Sequence, residues 1–373
     1  SARCISGYVY ASAGAGESTT DVVFSGNGLI AENGKFIATS ERFSFDSQLI
    51  VSDLDIERLQ ADRIRNSNFG NGKSEQAYRT IDFKTVQSND LLLKRTYDKH
   101  PFVPLLSNRD ESCEEIFSIQ VGGLAKRWQH THSENVVVGI SGGLDSTLAL
   151  LVCVKTADKL GFDRKRIIGI TMPGFGTTDR TYNNAINLMK SLGITMLEIS
   201  IKDACIQHFA DIQHDPNQHD VTYENTQARE RTQILMDIAN KHNGLVIGTG
   251  DLSELALGWA TYNGDHMSMY SVNTSVPKTL IRYLVEWVAD HSPEEAIRKI
   301  LYDVLDTPVS PELLPPDADG KIAQKTEETV GPYELHDFFM YQMVRHGFSP
   351  EKVYFLACKA FDGVYQKPVI FKW

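Results

Sequence analysis

The sequence predicts an α/β fold, a parallel sheet with helices on both faces, preceded by a smaller strand-rich segment. Three features point there. From residue 113 onward short apolar strands alternate with helical periods, the pattern of repeated βα units. A run of glycines and serines joins the first of those strands to the first long helix. Upstream of residue 66 the pattern is hairpin-like instead, and 373 residues exceed what one core usually organises, so at least two domains are expected.

In chain order, residues 1–54 read as short strands at 7–12, 21–24, 29–31, 36–40 and 49–54, broken by Gly26-Asn27-Gly28 and Asn33-Gly34, residue types that reach the positive φ of tight turns. A short polar helix follows at 56–65. The Asn-, Ser- and Gly-rich stretch 66–74 opens a linker, and 84–110 reads as irregular because Pro101 and Pro104 oppose a helix. An amphipathic helix then runs from 113 to about Thr131, followed by strand 135–140 and helix 146–160. Strand 166–172, helix 181–192, strand 194–200, helices 201–212 and 225–243 and strand 245–250 complete the alternating series. Helices 277–290 and 293–305, a Pro-rich loop 307–319 and a helical tail ending at Trp373 close the chain.

Composition narrows the function. With 42% hydrophobic and 23% charged residues the chain is an ordinary globular protein. A formal charge of −11 with no long Lys/Arg run argues against nucleic acid and against anionic membrane surfaces, so an anionic substrate needs a local positive pocket. Cys4, Cys113, Cys153, Cys205 and Cys358 form no C-x-x-C pair, which suggests neither zinc nor a disulfide framework and fits a reducing cytoplasm. The longest apolar stretch, 148–154, is too short to span a bilayer, and no leader pattern opens the chain.

The strongest motif is Gly139-Ile140-Ser141-Gly142-Gly143-Leu144-Asp145-Ser146-Thr147, between an apolar strand and a helix. Glycines allow close approach of the backbone to phosphate oxygens, while N–H groups at the helix start and the serine hydroxyls donate to an anion, for which pyrophosphate is the natural guest. Asp145 can sit beside phosphates only with a cation between them, which suggests magnesium coordination. No Gly-Lys-Ser/Thr closes the loop, so it is not a Walker A loop and γ-phosphoryl transfer is not expected. The bland alternative is a tightly packed turn that binds nothing. Gly250-Asp251-Leu252-Ser253-Glu254 follows a strand, which places Thr249, Asp251 and Glu254 at the same sheet edge as the first loop. Asp251 or Ser253 can simply cap a helix and Glu254 can be a solvated first-turn acid, but beside the first loop Glu254 is preferred as a metal ligand. Lys278 follows Pro277 at a helix start, unfavourable for a cation unless an anion is near; a phosphate would resolve that, and a solvent-extended lysine is the alternative.

Weaker signals are set aside. His208, His214 and His219 lie among Asp211, Asp215 and Asp220 without convergent spacing, which reads as a solvated loop. Gly174-Phe175-Gly176 lacks the third glycine of a dinucleotide fingerprint and reads as a loop over the nucleotide. Nothing local offers Cys4 a base or a lowered pKa.

Taken together, the Ser-Gly-Gly-Leu-Asp-Ser loop, Met172-Pro173-Gly174-Phe175-Gly176, Gly248-Thr249-Gly250-Asp251-Leu252-Ser253-Glu254 and Trp259-Ala260-Thr261-Tyr262-Asn263-Gly264-Asp265 resemble glutamine-dependent NAD synthetase. The first loop alone resembles only the wider PP-loop ATP pyrophosphatases, which include other amidotransferases and thiolating enzymes. The resemblance implies a Rossmann-like, adenine nucleotide alpha-hydrolase-like sheet preceded by a partial nitrilase-like α/β sandwich segment. It implies that 1–65 is the closing portion of a glutaminase domain, 66–112 a linker and 113–373 the synthetase domain. The implied reaction is ATP-dependent amidation of nicotinic acid adenine dinucleotide through an acyl-adenylate, with ammonia drawn from glutamine in the intact enzyme.

Carried over residue by residue, Gly139, Ile140, Ser141, Gly142, Gly143, Leu144, Asp145 and Ser146 would hold the ATP phosphates, with Thr249, Lys278 and Ser310 adding ATP contacts. Asp145 and Glu254 would hold magnesium, and Asp145 and Lys278 are the catalytic candidates. Asn225, Glu254, Trp259, Ala260, Thr261 and Tyr262 would contact the dinucleotide, with Arg229 a neighbour on the same helix. The family's glutaminase Glu, Lys and Cys normally lie upstream of the segment that matches 1–65, and Cys4 does not match the nucleophile. A partial sheet is expected to expose apolar faces and unpaired edges. A homo-oligomer through the synthetase domain is also implied. The rival readings are another PP-loop amidotransferase and a catalytically silent ATP-binding sensor.

Overall fold

The computed structural model describes residues 1–71, 79–84, 92–308, 313–315 and 326–373. In chain order the elements are β1 (Gly7–Ala11), β2 (Gly28–Glu32), β3 (Lys35–Thr39), α1 (Ile56–Arg65), α2 (Ser67–Asn71), α3 (Arg109–Thr131), β4 (Asn135–Gly139), α4 (Leu144–Leu160), β5 (Ile167–Thr171), α5 (Asp179–Leu192), β6 (Thr195–Glu198), α6 (Lys202–Asp211), α7 (Val221–Lys241), β7 (Gly244–Gly248), α8 (Leu252–Leu257), β8 (Tyr270–Ser271), α9 (Lys278–His291), α10 (Glu295–Leu305), α11 (Thr326–Val330), α12 (Tyr333–Met340), α13 (Pro350–Ala360) and α14 (Lys367–Lys372). By packing, the chain forms two compact units, 1–99 with 338–372, and 100–337 with Trp373.

In the first unit β1, β2 and β3 form an antiparallel sheet. Asn33 and Gly34 join β2 to β3 with φ of 45° and 87°, the positive values that a two-residue hairpin needs. The expected strands at 21–24 and 49–54 do not form. Apolar alternation supplies strand propensity, but a strand exists only where a neighbour completes its ladder, and none does so there among the described residues. Asp55 caps α1 by accepting from Arg58 N at 3.0 Å, and the Lys352 ammonium of α13 closes on the same carboxylate. Val9 and Phe36 are 69% and 66% exposed, so this sheet does leave apolar faces uncovered.

The second unit is built on a parallel sheet in the order β6-β5-β4-β7-β8. Both faces are covered over β4, β5 and β7, which is why these central strands read as apolar runs. Val136 and Val138 of β4 point into a core shared with α3, α4, α5, α9 and α10, while Val137 points into a second core with α6 and α7. All three valines are fully buried, each contributing about 1.5–3 kcal/mol by removal from water. β8, two residues long, is too short to show periodicity in the sequence. Among the described residues no helix is long and apolar enough to cross a membrane. The strand order places the reversal of winding between β4 and β7, and in such sheets the crevice beyond the carboxyl ends of those strands is where ligands bind.

Candidate functional site at the sheet switch point

A cleft of about 250 Å³ opens at that reversal, lined from β4 by Gly139, Ile140, Ser141, Asp145 and Ser146, and from β7 by Gly248, Thr249, Gly250 and Glu254. The loop after β4 is held by its own hydroxyls. Ser146 Oγ lies 3.2 Å from Ser141 Oγ and donates to Gly143 O at 3.2 Å, while Gly143 N donates to Ser141 Oγ at 3.1 Å. Gly142 has φ of 87°, and a Cβ there would lie 2.0 Å from the Thr181 carbonyl oxygen, so α5 presses directly on the loop. Gly143 is the N-cap of α4 and supplies no side chain, which leaves first-turn N–H groups to face an anion. Leu144 is turned into the core.

Beyond β7, Asp251 caps α8: its Oδ1 accepts from Glu254 N at 2.8 Å while Glu254 reaches back to Asp251 N. The capping reading of Asp251 is therefore correct, yet its second oxygen does something else. Lys278, at the first turn of α9 and only 4% exposed, places Nζ 2.7 Å from Asp145 Oδ2, 2.6 Å from Asp251 Oδ2 and 2.9 Å from Glu254 Oε1. The anion that offsets the unfavourable helix-start position of Lys278 is thus this set of carboxylates, and the lysine does not extend into solvent. Burial alone lowers the amine's pKa, but the three acids outweigh it and hold Lys278 well above the ordinary lysine range. Burial, joined by repulsion from Asp145, pushes Asp251 and Glu254 upward against the pull of Lys278. Three carboxylates against one ammonium leave a formal −2. Asp145, Asp251 and Glu254 offer oxygens within 4.8 Å of one another, and Asp145 Oδ1 is buried with no hydrogen-bond partner among the described residues. A divalent cation suits that donor set.

The segment after α8 folds beside α7. Trp259 and Ala260 line the cleft, whereas Tyr262 is 76% exposed. Thr261 Oγ1 donates to Asn225 Oδ1 at 2.8 Å and Arg229 Nε donates to Tyr262 O at 3.1 Å, so Asn225 and Arg229 anchor this loop from behind. Ser310 falls outside the described residues. In the loop after β5, Thr177 lines the cleft, while Phe175 packs against Phe209 and Tyr223 and its N–H donates to Gln227 Oε1 at 3.1 Å. The histidines of 208–219 form no metal group: the acidic trio is the one such cluster among the described residues, while His214 and His219 pack on Phe209 and Tyr223.

Two functional positions escaped the sequence reading. Arg231, two residues from Arg229 on α7, lines the cleft and donates from Nε to Met172 O at 3.3 Å, which gives the site a local positive charge. Its place could have been found by helical phase, since Ala228, Arg231, Thr232 and Leu235 share one face toward the cleft. Asn273, fully buried, donates from Nδ2 to Asp145 O at 3.0 Å and to Thr249 O at 3.1 Å, and its Oδ1 accepts from Gln120 Nε2 at 3.1 Å. It ties the two strand-end loops together. No local signal marks it.

Fold and site together define a class: a Rossmann-like α/β protein whose switch point is equipped for an anion beside a cation. The NAD synthase family model matches residues 116–359, and the chain belongs to that family. A glutamine-dependent NAD(+) synthetase from Mycobacterium leprae is 44% identical over 375 residues, covering 97% of this chain and 55% of the relative. The chain thus spans about half the length of the curated relatives it matches. Among solved structures, a glutamine-dependent NAD(+) synthetase from Cytophaga hutchinsonii aligns with a TM-score of 0.54 at 20% identity, covering all of this chain and 57% of the other. An NMN synthetase from Francisella tularensis aligns with a TM-score of 0.52 at 23% identity, covering 68% of this chain and 96% of the other. These two likenesses concern the fold.

Proposed function

We propose that this chain uses ATP to activate the carboxylate of nicotinic acid adenine dinucleotide and amidates it to NAD. The observation that carries the reading is one switch-point cleft holding both an uncapped helix start behind a glycine loop and three carboxylates around a buried ammonium. In the proposed reaction a carboxylate oxygen attacks the α-phosphorus and the bond to pyrophosphate breaks. Ammonia then adds to the acyl carbon, AMP departs with the former carboxylate oxygen, and the nitrogen loses a proton. Both steps need charge neutralisation and alignment rather than a covalent enzyme intermediate, and the cleft offers those.

The loop Gly139–Ser146 and the start of α4 would bind phosphate oxygens, with Thr249 and Lys278 beside them. Asp145 and Glu254, joined by Asp251, would hold magnesium, which when bound would offset negative charge on the phosphates. Trp259, Ala260 and Arg231 line the side left for the dinucleotide, with Asn225, Arg229, Thr261 and Tyr262 framing it. We assign 113–373 as the synthetase domain, 66–112 as linker and 1–65 as the closing part of a nitrilase-like glutaminase domain, so that glutamine supplies the ammonia in the whole protein. Ile119, exposed on α3, supports a homo-oligomer through the synthetase domain, and the five cysteines, all free thiols, fit a reducing cytoplasm.

The test is mass-spectrometric product analysis with ATP, magnesium, the dinucleotide acid and either ammonium or glutamine. NAD, AMP and pyrophosphate with ammonium support the reading. ADP and phosphate would replace it with γ-phosphoryl transfer, and nucleotide binding without AMP would replace it with a silent sensor.

A further inference from the structure

The carboxylate of Asp337, on α12, is 1% exposed and takes no part in the acidic cluster. Its Oδ1 accepts from Ser253 Oγ at 2.5 Å, and its Oδ2 accepts from Thr279 N at 3.0 Å and Thr279 Oγ1 at 2.6 Å. Ser253 Oγ in turn accepts from Lys278 N at 2.9 Å. The N-cap of α9 is Pro277, whose side chain can accept nothing, so the first N–H groups of α9 would be orphaned in a buried place. Ser253 and Asp337 satisfy them from two other helices. The negative carboxylate also lies at the positive end of the α9 dipole.

We infer that Asp337 is a positioning residue for Lys278: its buried carboxylate clamps the starts of α8 and α9 together and so sets the spacing between the acidic trio and the ammonium. Ser253 is flanked on α8 by the elements of the trio, two residues after Asp251 and next to Glu254. Thr279 directly follows Lys278. One carboxylate therefore binds the Ser253 hydroxyl beside Asp251 and Glu254 and the Thr279 backbone N–H beside Lys278. One turn earlier on the same face of α12, Tyr333 lays its ring 5.2 Å from Lys278 Nζ. Its buried hydroxyl has no hydrogen-bond partner among the described residues. The ring covers a further side of the ammonium, so α12 reaches the Lys278 side chain directly and its backbone through Ser253 and Thr279. An isolated buried acid paired with no cation is costly, and three strong donors explain how this one is accommodated.

The inference rests on the proposed function only in assigning Lys278 to the reacting site, and two readouts keep the two apart. The first is competitive acetylation of Lys278 with acetic anhydride, read by mass spectrometry on the whole chain, which needs no turnover. Asp337→Asn puts an amide donor where an acceptor oxygen meets a donor, and Lys278 should label about tenfold faster, the scale of losing one charge-assisted hydrogen bond. Thr279→Val removes one of the donors with less risk to folding and should shift labelling in the same direction, by a smaller factor. Leu301→Ala, a core truncation on α10 with a comparable loss of thermal midpoint, should leave labelling unchanged. The second readout is AMP formation: the Lys278→Met, Asp337→Asn double variant should be no slower than Lys278→Met alone, because a group acting through Lys278 has nothing left to position. Wild-type labelling rates in both folded Asp337→Asn and Thr279→Val, an equal rise in Leu301→Ala, or additive losses in the double variant would each overturn the inference. A wild-type chain that forms no AMP would overturn the proposed function instead, while the labelling still decides the role of Asp337.

Discussion

Gly142→Ala is the sharpest perturbation the site offers. Two costs add at this residue. Its φ of 87° lies in the left-handed region, where an alanine costs about 1–2 kcal/mol. The added Cβ would also meet the Thr181 carbonyl oxygen at 2.0 Å, its carbon at 2.8 Å and its Cα at 3.1 Å. All three are backbone atoms of the first turn of α5, held by the Thr178 cap, so no side chain can swing aside to relieve the overlap. Forcing the loop away costs about 1–3 kcal/mol more, for a total of about 2–5 kcal/mol. Urea unfolding followed by circular dichroism and calorimetric titration with ATP and magnesium should find this energy either as lost stability or as a displaced loop that binds ATP weakly. Two controls separate the terms. Gly161→Ala has φ of 66° but meets nothing within 4 Å, so it should lose only the conformational part. Gly143→Ala lies in the same loop with φ of −87° and meets only Ser141 Oγ at 3.2 Å, so it should be nearly neutral to folding. A Gly142→Ala chain with unchanged stability and unchanged ATP affinity would refute the reasoning.

Three further outcomes are expected. Lys278→Met strands three carboxylates around an empty centre and should destabilise the chain by about 3–5 kcal/mol, with magnesium restoring part of the thermal midpoint; no loss, or no response to magnesium, argues against the cluster as described. Asn273→Ala removes the bridge between Asp145 O and Thr249 O and leaves buried carbonyls unsatisfied, for a loss of about 2–4 kcal/mol by urea unfolding and a weakened ATP titration. His346, 8% exposed, is depressed to about 4, first by burial and then by Arg58, against Asp62 and Asp55. Because the unfolded chain then binds the proton more readily, its contribution is present above the ordinary value of 6.5 and is lost as pH falls toward 4. The wild type should therefore lose up to about 3 kcal/mol more than His346→Gln between pH 7 and pH 4, measured by urea midpoints, and equal pH dependence in the two would count against this buried neutral histidine.

Much of the fold is legible in the sequence, and particular elements show why. α1 has the expected bounds of 56–65, because a capping Asp55 and a helical run are local signals. The strands β4, β5 and β7 announce themselves as short apolar runs bounded by glycine or polar residues, since a sheet buried on both faces admits nothing else. The phosphate loop is equally local: glycines and serines consecutive in sequence are consecutive in space. The strands expected at 21–24 and 49–54 fail for the converse reason, since pairing is decided by a partner elsewhere in the chain.

Sequence by itself determined the alternating α/β architecture, the position of the loop Gly139–Ser146 and the acidic residues Asp145, Asp251 and Glu254 at a shared sheet edge. Only the tertiary structure decided that Lys278 enters the middle of those acids, that Asn273 joins the two loops, and that Asp337 secures the start of α9 from the far end of the unit. The difference is physical. Propensity, capping and turn chemistry act over a few residues and leave a trace in the local pattern. The pairing of Lys278 with Asp145 spans 133 residues and that of Thr279 with Asp337 spans 58, and such contacts arise only when folding brings the strand ends and helix starts into one crevice.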